Sequence, residues 1–330
     1  MSVSVLVPTT GPWSEVTGYA ALADELGYES VNCSHISARD SFTTLAGLAG
    51  VAPKVRLGSA VAPIYHRSPA SMAQTAATVD DLSGGRFRLG LGTGHRITMG
   101  QWHGADIGKP MAEMREYVAV VRALWAGRTA TDGQRWRSQF GFVGFTPRAD
   151  IPIYLAALSR GMIRLAAEIA DGVVLWACPS SYIRDVVVPE IAEVRRAAGL
   201  DVAGFDVLAA VPASATDDVT TAMSGIREEL HRYFGLPFYR AMFDAAGYGD
   251  DIAAYDAAAE DRAGQLNAIS ERFVLDLCAI GDTQTISQVL ERYRQAGASN
   301  PMITQIRGTD FLPTLHAAAE RQTTGAGVRA

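Results

Sequence analysis

The sequence predicts an α/β fold: a single (β/α)8 TIM barrel spanning residues 1–330, with insertions at the C-terminal face of its strands. Three observations predict it. Strand-like runs alternate with helical patterns along the chain. Most of these runs are short and continuously apolar, as strands are when helices cover a parallel sheet. Eight such runs occur, the number that closes this kind of barrel. Counting does not show closure, so an open doubly wound sheet is the alternative.

Taken in order, the strands are Val3–Val7, Ser30–Cys33, Val55–Ala62, Arg86–Gly92, Ile153–Ala156, Gly172–Trp176, Phe205–Val211 and Met302–Ile306. Helical patterns lie near 14–26, 40–51, 68–82, 112–126, 160–170, 180–198 and 283–296. The clearest unit is Gly58 to His95. A Val-rich strand enters a polar turn, an Ala-rich helix follows, and Ser83-Gly84-Gly85 turns into a strand ending in a glycine-rich loop. Such a strand–loop–helix–strand unit builds parallel sheets. Near the end, Gly281-Asp282-Thr283 opens a helix that Ala296-Gly297 closes; this is scaffold.

Two segments break the rhythm. Residues 127–150, rich in Gly, Arg and aromatics, read as an extended insertion. Residues 224–276 read as a helical insertion studded with Phe, Tyr and Met. In a barrel such insertions decorate the catalytic mouth, though surface helices or an oligomer contact fit equally. The tail, residues 323–330, reads as disordered.

Composition narrows the function. Hydrophobic residues make up 48% of the chain, enough for one large core, and the net charge is −6 without a basic patch. Nucleic acid is therefore not an expected partner. No run of about 18 apolar residues marks a membrane span. The start lacks a basic n-region, so no signal peptide is expected. Cys33, Cys178 and Cys278 are scattered and odd in number, which argues against disulfides or a zinc site and for a reducing, cytoplasmic setting. Lysine occurs only at Lys54 and Lys109, while arginine is abundant. That reads as the imprint of a high-GC genome.

Catalytic groups of a barrel sit where strands end. Here those ends carry His35, the Pro63–His66 turn, Thr93 with His95, and Trp176 with Cys178. A lone histidine at a strand end is more often structural; three converging on one barrel face favour a site. Gly90-Leu91-Gly92-Thr93-Gly94 is GxGxG rather than GxGxxG and lies on the fourth strand, so it is a poor dinucleotide fingerprint. It suits a loop whose backbone approaches a planar ring or a phosphate.

The stretch GSAVAPIYHRSPASMAQTAATVDDLSGGRFRLGLGTGH and the later ADGVVLW resemble the luciferase-like superfamily of flavin- and deazaflavin-dependent oxidoreductases. The resemblance extends more weakly over most of the chain. It implies a bulge behind the cofactor ring at Ser59, Ala60 and Val61, with Ala60–Val61 the expected cis peptide. It implies a phosphate-binding helix start at Ser159, Arg160, Gly161 and Met162, where a free helix N-terminus favours an anion. The family's usual Gly-Pro is absent there, and a plain Ser159 N-cap is the bland alternative. His66, Thr93 and Gly94 complete the expected cofactor contacts.

IYHRSPASMAQTAATVDDLSGGRF with GLGTGH is closer to the branch that uses coenzyme F420 for hydride transfer than to the branch that uses FMN and oxygen. The sugar-phosphate dehydrogenases of the F420 branch carry an acidic residue before a histidine after strand two, where this chain has Ser34-His35-Ile36. They carry glutamate after GTG, where this chain has His95. Glucose 6-phosphate is therefore not the expected substrate. His35 and His95 are the expected proton-transfer residues, and Trp102 and Trp176 the expected walls of a pocket for a small-molecule substrate. The alternatives are an FMN monooxygenase needing a flavin reductase, or a non-catalytic F420 or flavin carrier. Barrels of the superfamily often form homodimers.

Overall fold

A computed structural model describes residues 2–324, with side-chain surroundings described through residue 319. The expected disordered tail lies largely outside the described residues; its first two residues, 323 and 324, end a helix. Eight parallel strands close into a barrel. β1 (Ser4–Leu6), β2 (Ser30–Cys33), β3 (Arg56–Ser59), the short β4 (Ala62–Pro63), β5 (Phe87–Gly92), β6 (Ile153–Ala156), β7 (Gly172–Leu175) and β8 (Asp206–Ala215) follow in order. β9 (Ala279–Gly281) pairs with the far end of β8, and β10 (Asn300–Gln305) bonds to both β8 and β1. That double pairing closes the barrel and excludes the open sheet. β3 and β4 are one barrel strand interrupted at Ala60 and Val61.

Each apolar run forms a strand because both of its faces are covered. One face packs under helices in a core that includes Val5, Val31, Leu57, Leu89, Leu155, Val173, Ala209 and Ile303. The other fills the lumen with Tyr154, Val174, Leu208, Ala210 and Met302. Helices start where side chains can satisfy free N–H groups: Asp40, Ser68, Ser159 and Asp282 each accept a backbone bond as N-caps.

The lower lumen is polar. Arg88, on β5, donates to the Ser30 hydroxyl and, at 3.2 Å, to Asn32 Oδ1. It lies 3.6 Å from Asp206 and stacks 5.1 Å from the Tyr154 ring centre. Tyr154 donates to Asp206 at 2.8 Å. A buried guanidinium is tolerable only with such company. The network seals the barrel opposite the mouth.

Two helices depart from the sequence expectation. Arg96–His103 follows β5, and of its eight residues only Met99 is buried, so it carries no apolar stripe to read. Leu312–Thr324 closes the chain with Leu315 and small alanines inward. Five helices occupy 219–277, beginning with Val219–Phe234, five residues ahead of the expected insertion boundary. Residues 127–150 run without helix; one isolated bridge joins Ala130 and Ser138. They are pinned through Glu116, which accepts from the N–H groups of Gln134, Arg135 and Trp136 at 3.2, 2.9 and 3.1 Å. All three cysteines are buried free thiols. Among the described residues, no helix is long and apolar enough to cross a membrane.

Candidate active site

The β3–β4 break is the centre of the barrel mouth. Gly58 pairs with Arg88 and Ala62 with Leu91, so three residues (59–61) face two (89–90). This is a β-bulge, which re-aims the strand. Its hold on β5 is specific: the Ser59 hydroxyl donates to the Gly90 carbonyl at 3.0 Å and accepts from the Gly90 N–H at 2.9 Å. Ala60 N–H donates to Cys33 O at 2.9 Å, and the Ala60–Val61 peptide is cis. The glycines of β5 make room. A Cβ at Gly90 would lie 1.9 Å from Ser59 O, and one at Gly92 would lie 2.7 Å from Val61 Cγ2. Ala60 and Val61 thus present small apolar groups to the lumen beside Leu6 and Trp176.

The sequence-selected histidines fall into two groups. His35 and His66 lie together, ring centres 5.3 Å apart, and the His103 ring leans on His66 at 3.9 Å, tilted by 48°. His35 Nδ1 meets the Ser41 hydroxyl at 2.9 Å and accepts the Ser41 N–H at 3.2 Å; its Nε2 faces Arg67 at 3.3 Å. Arg67 in turn pairs with Asp40. Burial first, then Arg67 and His103, hold His35 below the usual histidine value against the pull of Asp40. His35 is therefore a neutral ring locked between loops. His66 is driven down to about 4 by burial and then by His103, His35 and Arg67, and its Nε2 has no partner among the described residues.

His95 is the N-cap residue of Arg96–His103 and stands apart from that group. Its ring lies 5.9 Å from Tyr239 and 6.5 Å from Tyr233, and Tyr233 lies 6.0 Å from Trp176. Burial and then the Arg232 charge lower its pKa, leaving a neutral imidazole able to take a proton. Trp176 is held at the end of β7 by Ala177, whose φ of 48° is unusual for a residue with a Cβ. Trp102 is 53% exposed on Arg96–His103, and its ring is not among these aromatic contacts. Thr93 lies beside Gly94, its hydroxyl reaching only Gly94 O at 3.4 Å.

At the start of the helix after β6, Ser159 caps the Met162 N–H at 3.3 Å, and Arg160 pairs with Glu190, which Arg164 shares at 2.6 Å. The guanidinium and the hydroxyl are thus already engaged. What remains for an anion is the pair of backbone N–H groups at Arg160 and Gly161, which a helix start leaves free. Met111 packs against Gly161, where a Cβ would come within 3.0 Å of its sulfur.

Sequence reasoning missed Glu229, Arg232, Tyr233 and Tyr239. Gly225, Glu229, Arg232 and Tyr233 follow i, i+4, i+7, i+8 spacing on Val219–Phe234, so one face spans the mouth. At one end a Cβ on Gly225 would lie 2.2 Å from Arg307 O, and at the other Tyr233 meets Trp176. Burial raises the Glu229 pKa, and the nearby Arg232 and Arg307 only partly offset it. Glu229, whose pKa is raised, and His95, whose pKa is lowered, share Arg232 as a charged neighbour and form a candidate acid–base pair. The readable signal was that helical spacing together with the aromatic run FGLPFYR. Two surface cavities, of about 450 and 400 Å³, flank the same helix; the second is lined by Gly225 and Arg307 at the end of that face. Among the described residues no His/Cys/Asp/Glu cluster could hold a metal ion.

Comparisons with known proteins agree with this architecture. A family model described as luciferase-like monooxygenase matches residues 1–300. A candidate coenzyme F420-dependent oxidoreductase of Mycobacterium tuberculosis is 29% identical over 318 residues, 86% of this chain and 88% of the relative. A 5,10-methylenetetrahydromethanopterin reductase of Methanolobus tindarius is 32% identical over 228 residues, 68% of each chain. The coenzyme F420-dependent tetrahydromethanopterin reductase of Methanopyrus kandleri superposes with a TM-score of 0.83 at 21% identity over 97% of both chains, a likeness of fold.

Proposed function

The chain belongs to the luciferase-like monooxygenase family, and from that premise we propose that it is an oxidoreductase using coenzyme F420 with a small organic substrate. The relative that matches 86% of the chain carries an F420-dependent name, which favours the deazaflavin over FMN. The observation that carries the reading is the bulge: Gly90 and Gly92 make room for Ser59 O and the Val61 side chain, so that Ala60 and Val61 form a wall of small apolar groups in the lumen. A planar tricyclic ring fits such a wall, where a bulky residue would block it.

In this reading Ser59, Ala60 and Val61 hold the ring, with His66, Thr93 and Gly94 at its edge. The helix start at Ser159–Met162 receives the phosphate. A bound deazaflavin supplies a two-electron hydride donor or acceptor. The chain's own residues handle the rest. Trp176, Tyr233 and Tyr239 exclude water from the mouth. Glu229 holds a proton on its carboxyl for the substrate, and His95 takes or returns one at its free ring nitrogen. His35, locked by Ser41 and Arg67, orients the β2 and β4 loops instead of exchanging protons.

A second reading, an FMN monooxygenase using a separate reductase, is favoured by the description of the family itself. The test is a panel of alcohols, aldehydes and enones supplied with oxidised or reduced F420, read by the coenzyme's absorbance. Oxygen uptake with reduced FMN runs in parallel. Turnover of F420 without oxygen uptake supports the proposal; oxygen uptake with reduced FMN and none of the former contradicts it.

A further inference from the structure

Two buried hydroxyls in the upper barrel, those of Ser214 and Thr304, have no hydrogen-bond partner among the described residues. Ser214 is 0% exposed and Thr304 4%. Strand alternation aims both into the lumen. The Trp176 indole N–H, by contrast, has the Tyr233 hydroxyl beside it. On β8, Val207, Ala209, Val211 and Ala213 pack beneath helices while Leu208 and Ala210 fill the lumen, so Ser214 shares the lumen side. On β10, Ile303 faces out and Met302 in, which turns Thr304 in. On β7, Val173 and Leu175 face out, and Val174 and Trp176 face in.

Register fixes their height. Thr304 lies opposite Pro212 on one side and Leu6 on the other. It therefore stands one layer above Met302, level with Leu6, which packs in the lumen cluster that Ala60, Val61 and Trp176 also join. Ser214 is the next lumen-facing residue beyond Pro212, a diagonal neighbour of Thr304. Leu6, Ala60, Ala210 and Pro212 offer these groups no side-chain acceptor. Buried polar groups left unpaired weaken a fold, and native structures keep few of them unless a ligand or water completes them.

We propose that the Thr304 and Ser214 hydroxyls form a hydrogen-bonding subsite for a carbonyl oxygen of a ligand lying against the Ala60–Val61 bulge. Each hydroxyl can donate, so the two match an acceptor with two lone pairs. Two ligands carry such an oxygen: the ring of a deazaflavin and a carbonyl substrate. Naming those two sources rests on the F420 reading above; the existence of the subsite does not.

The experiment uses Thr304→Val, which keeps shape and removes the hydroxyl, and Ser214→Ala. For each variant and the wild type, three quantities are measured: the melting temperature without ligand, the Kd for F420 by fluorescence, and the Kd for cyclohexenone on the F420-loaded protein. The proposal expects Thr304→Val to melt at the same or a higher temperature yet bind one of the two ligands at least fivefold more weakly. Weaker F420 binding assigns the oxygen to the ring; weaker cyclohexenone binding alone assigns it to the substrate. Unchanged affinities in both variants overturn the proposal, as does a lower melting temperature without loss of affinity. If wild type fails to bind F420, the function reading fails, and the cyclohexenone comparison on unloaded protein decides the subsite. Binding of neither ligand overturns both.

Discussion

Ser59 and Gly90 are joined by two hydrogen bonds through a single hydroxyl, which donates to the Gly90 carbonyl at 3.0 Å and accepts from its N–H at 2.9 Å. This link replaces the backbone ladder where the bulge breaks it. It explains why the strand must carry glycine at 90, and it holds the wall on which the functional reading depends.

Gly90→Ala therefore places a methyl on the Ser59 carbonyl, a backbone atom that can yield only if the bulge moves. The expected loss of stability is about 3 kcal/mol, the upper part of the overpacking range. Ser59→Ala leaves the Gly90 groups unpaired and costs roughly 1–3 kcal/mol. Urea unfolding of both variants measures this; a Gly90→Ala variant as stable as wild type would mean the bulge is not packed as described.

The barrel was legible because most strands are compact apolar runs separated by helices: all eight expected strands are present. The bulge at Ser59–Val61 came from family resemblance; composition could not supply it, since Ser, Ala and Val are ordinary strand residues. Arg96–His103 was hidden because one buried methionine leaves no periodicity. The mouth residues were only half readable. Histidines at strand ends are visible one by one, but nothing local says that His35 is engaged by Ser41 and Arg67 while His95 faces tyrosines. Glu229 and Tyr233 on Val219–Phe234 and Tyr239 on the following helix, Pro237–Ala245, reach the site from more than 130 residues beyond His95, and only the fold brings them together.

His66 makes the fold sensitive to acid. Its pKa is driven to about 4 in the folded protein, whereas an unfolded histidine titrates near ~6.5. Between those values the unfolded chain binds a proton that the fold refuses, so stability falls as pH drops through that window. His66→Gln should lose less stability than wild type between pH 7.5 and pH 5, measured as urea midpoints. Parallel losses would place the acid sensitivity elsewhere, for instance at His35 or His95, which are also lowered.

Glu229 has the opposite sign. Burial raises its folded pKa above the usual carboxylate value, so the fold holds a proton that the unfolded chain releases, and stability falls as pH rises through that window. Glu229→Gln should raise the melting temperature at pH 7.5 and change little at pH 4. In turnover it should lower kcat at least tenfold while leaving F420 affinity intact. A variant less stable at pH 7.5, or one with undiminished kcat, removes Glu229 from the acid–base set.

Arg148 ties residues 127–150 to the barrel through two bonds to the buried Asp80, at 2.8 and 3.0 Å. Arg148→Ala leaves that carboxylate buried with fewer partners. The expected cost is roughly 2 kcal/mol, below the ~3–5 kcal/mol of a fully buried pair because the arginine is a third exposed. Asp80→Asn with Arg148 intact should cost less, and the pair of variants compared by thermal melting checks the order.

In the proposed reading the Ala60–Val61 wall, given room by Gly90 and Gly92, receives a deazaflavin. The most direct measurement is equilibrium binding of oxidised F420 and oxidised FMN, side by side, to the same protein. The account predicts micromolar or tighter binding of F420 and much weaker binding of FMN, with Gly92→Val abolishing the former. Tight FMN binding with little F420 binding, or binding of neither, would contradict it.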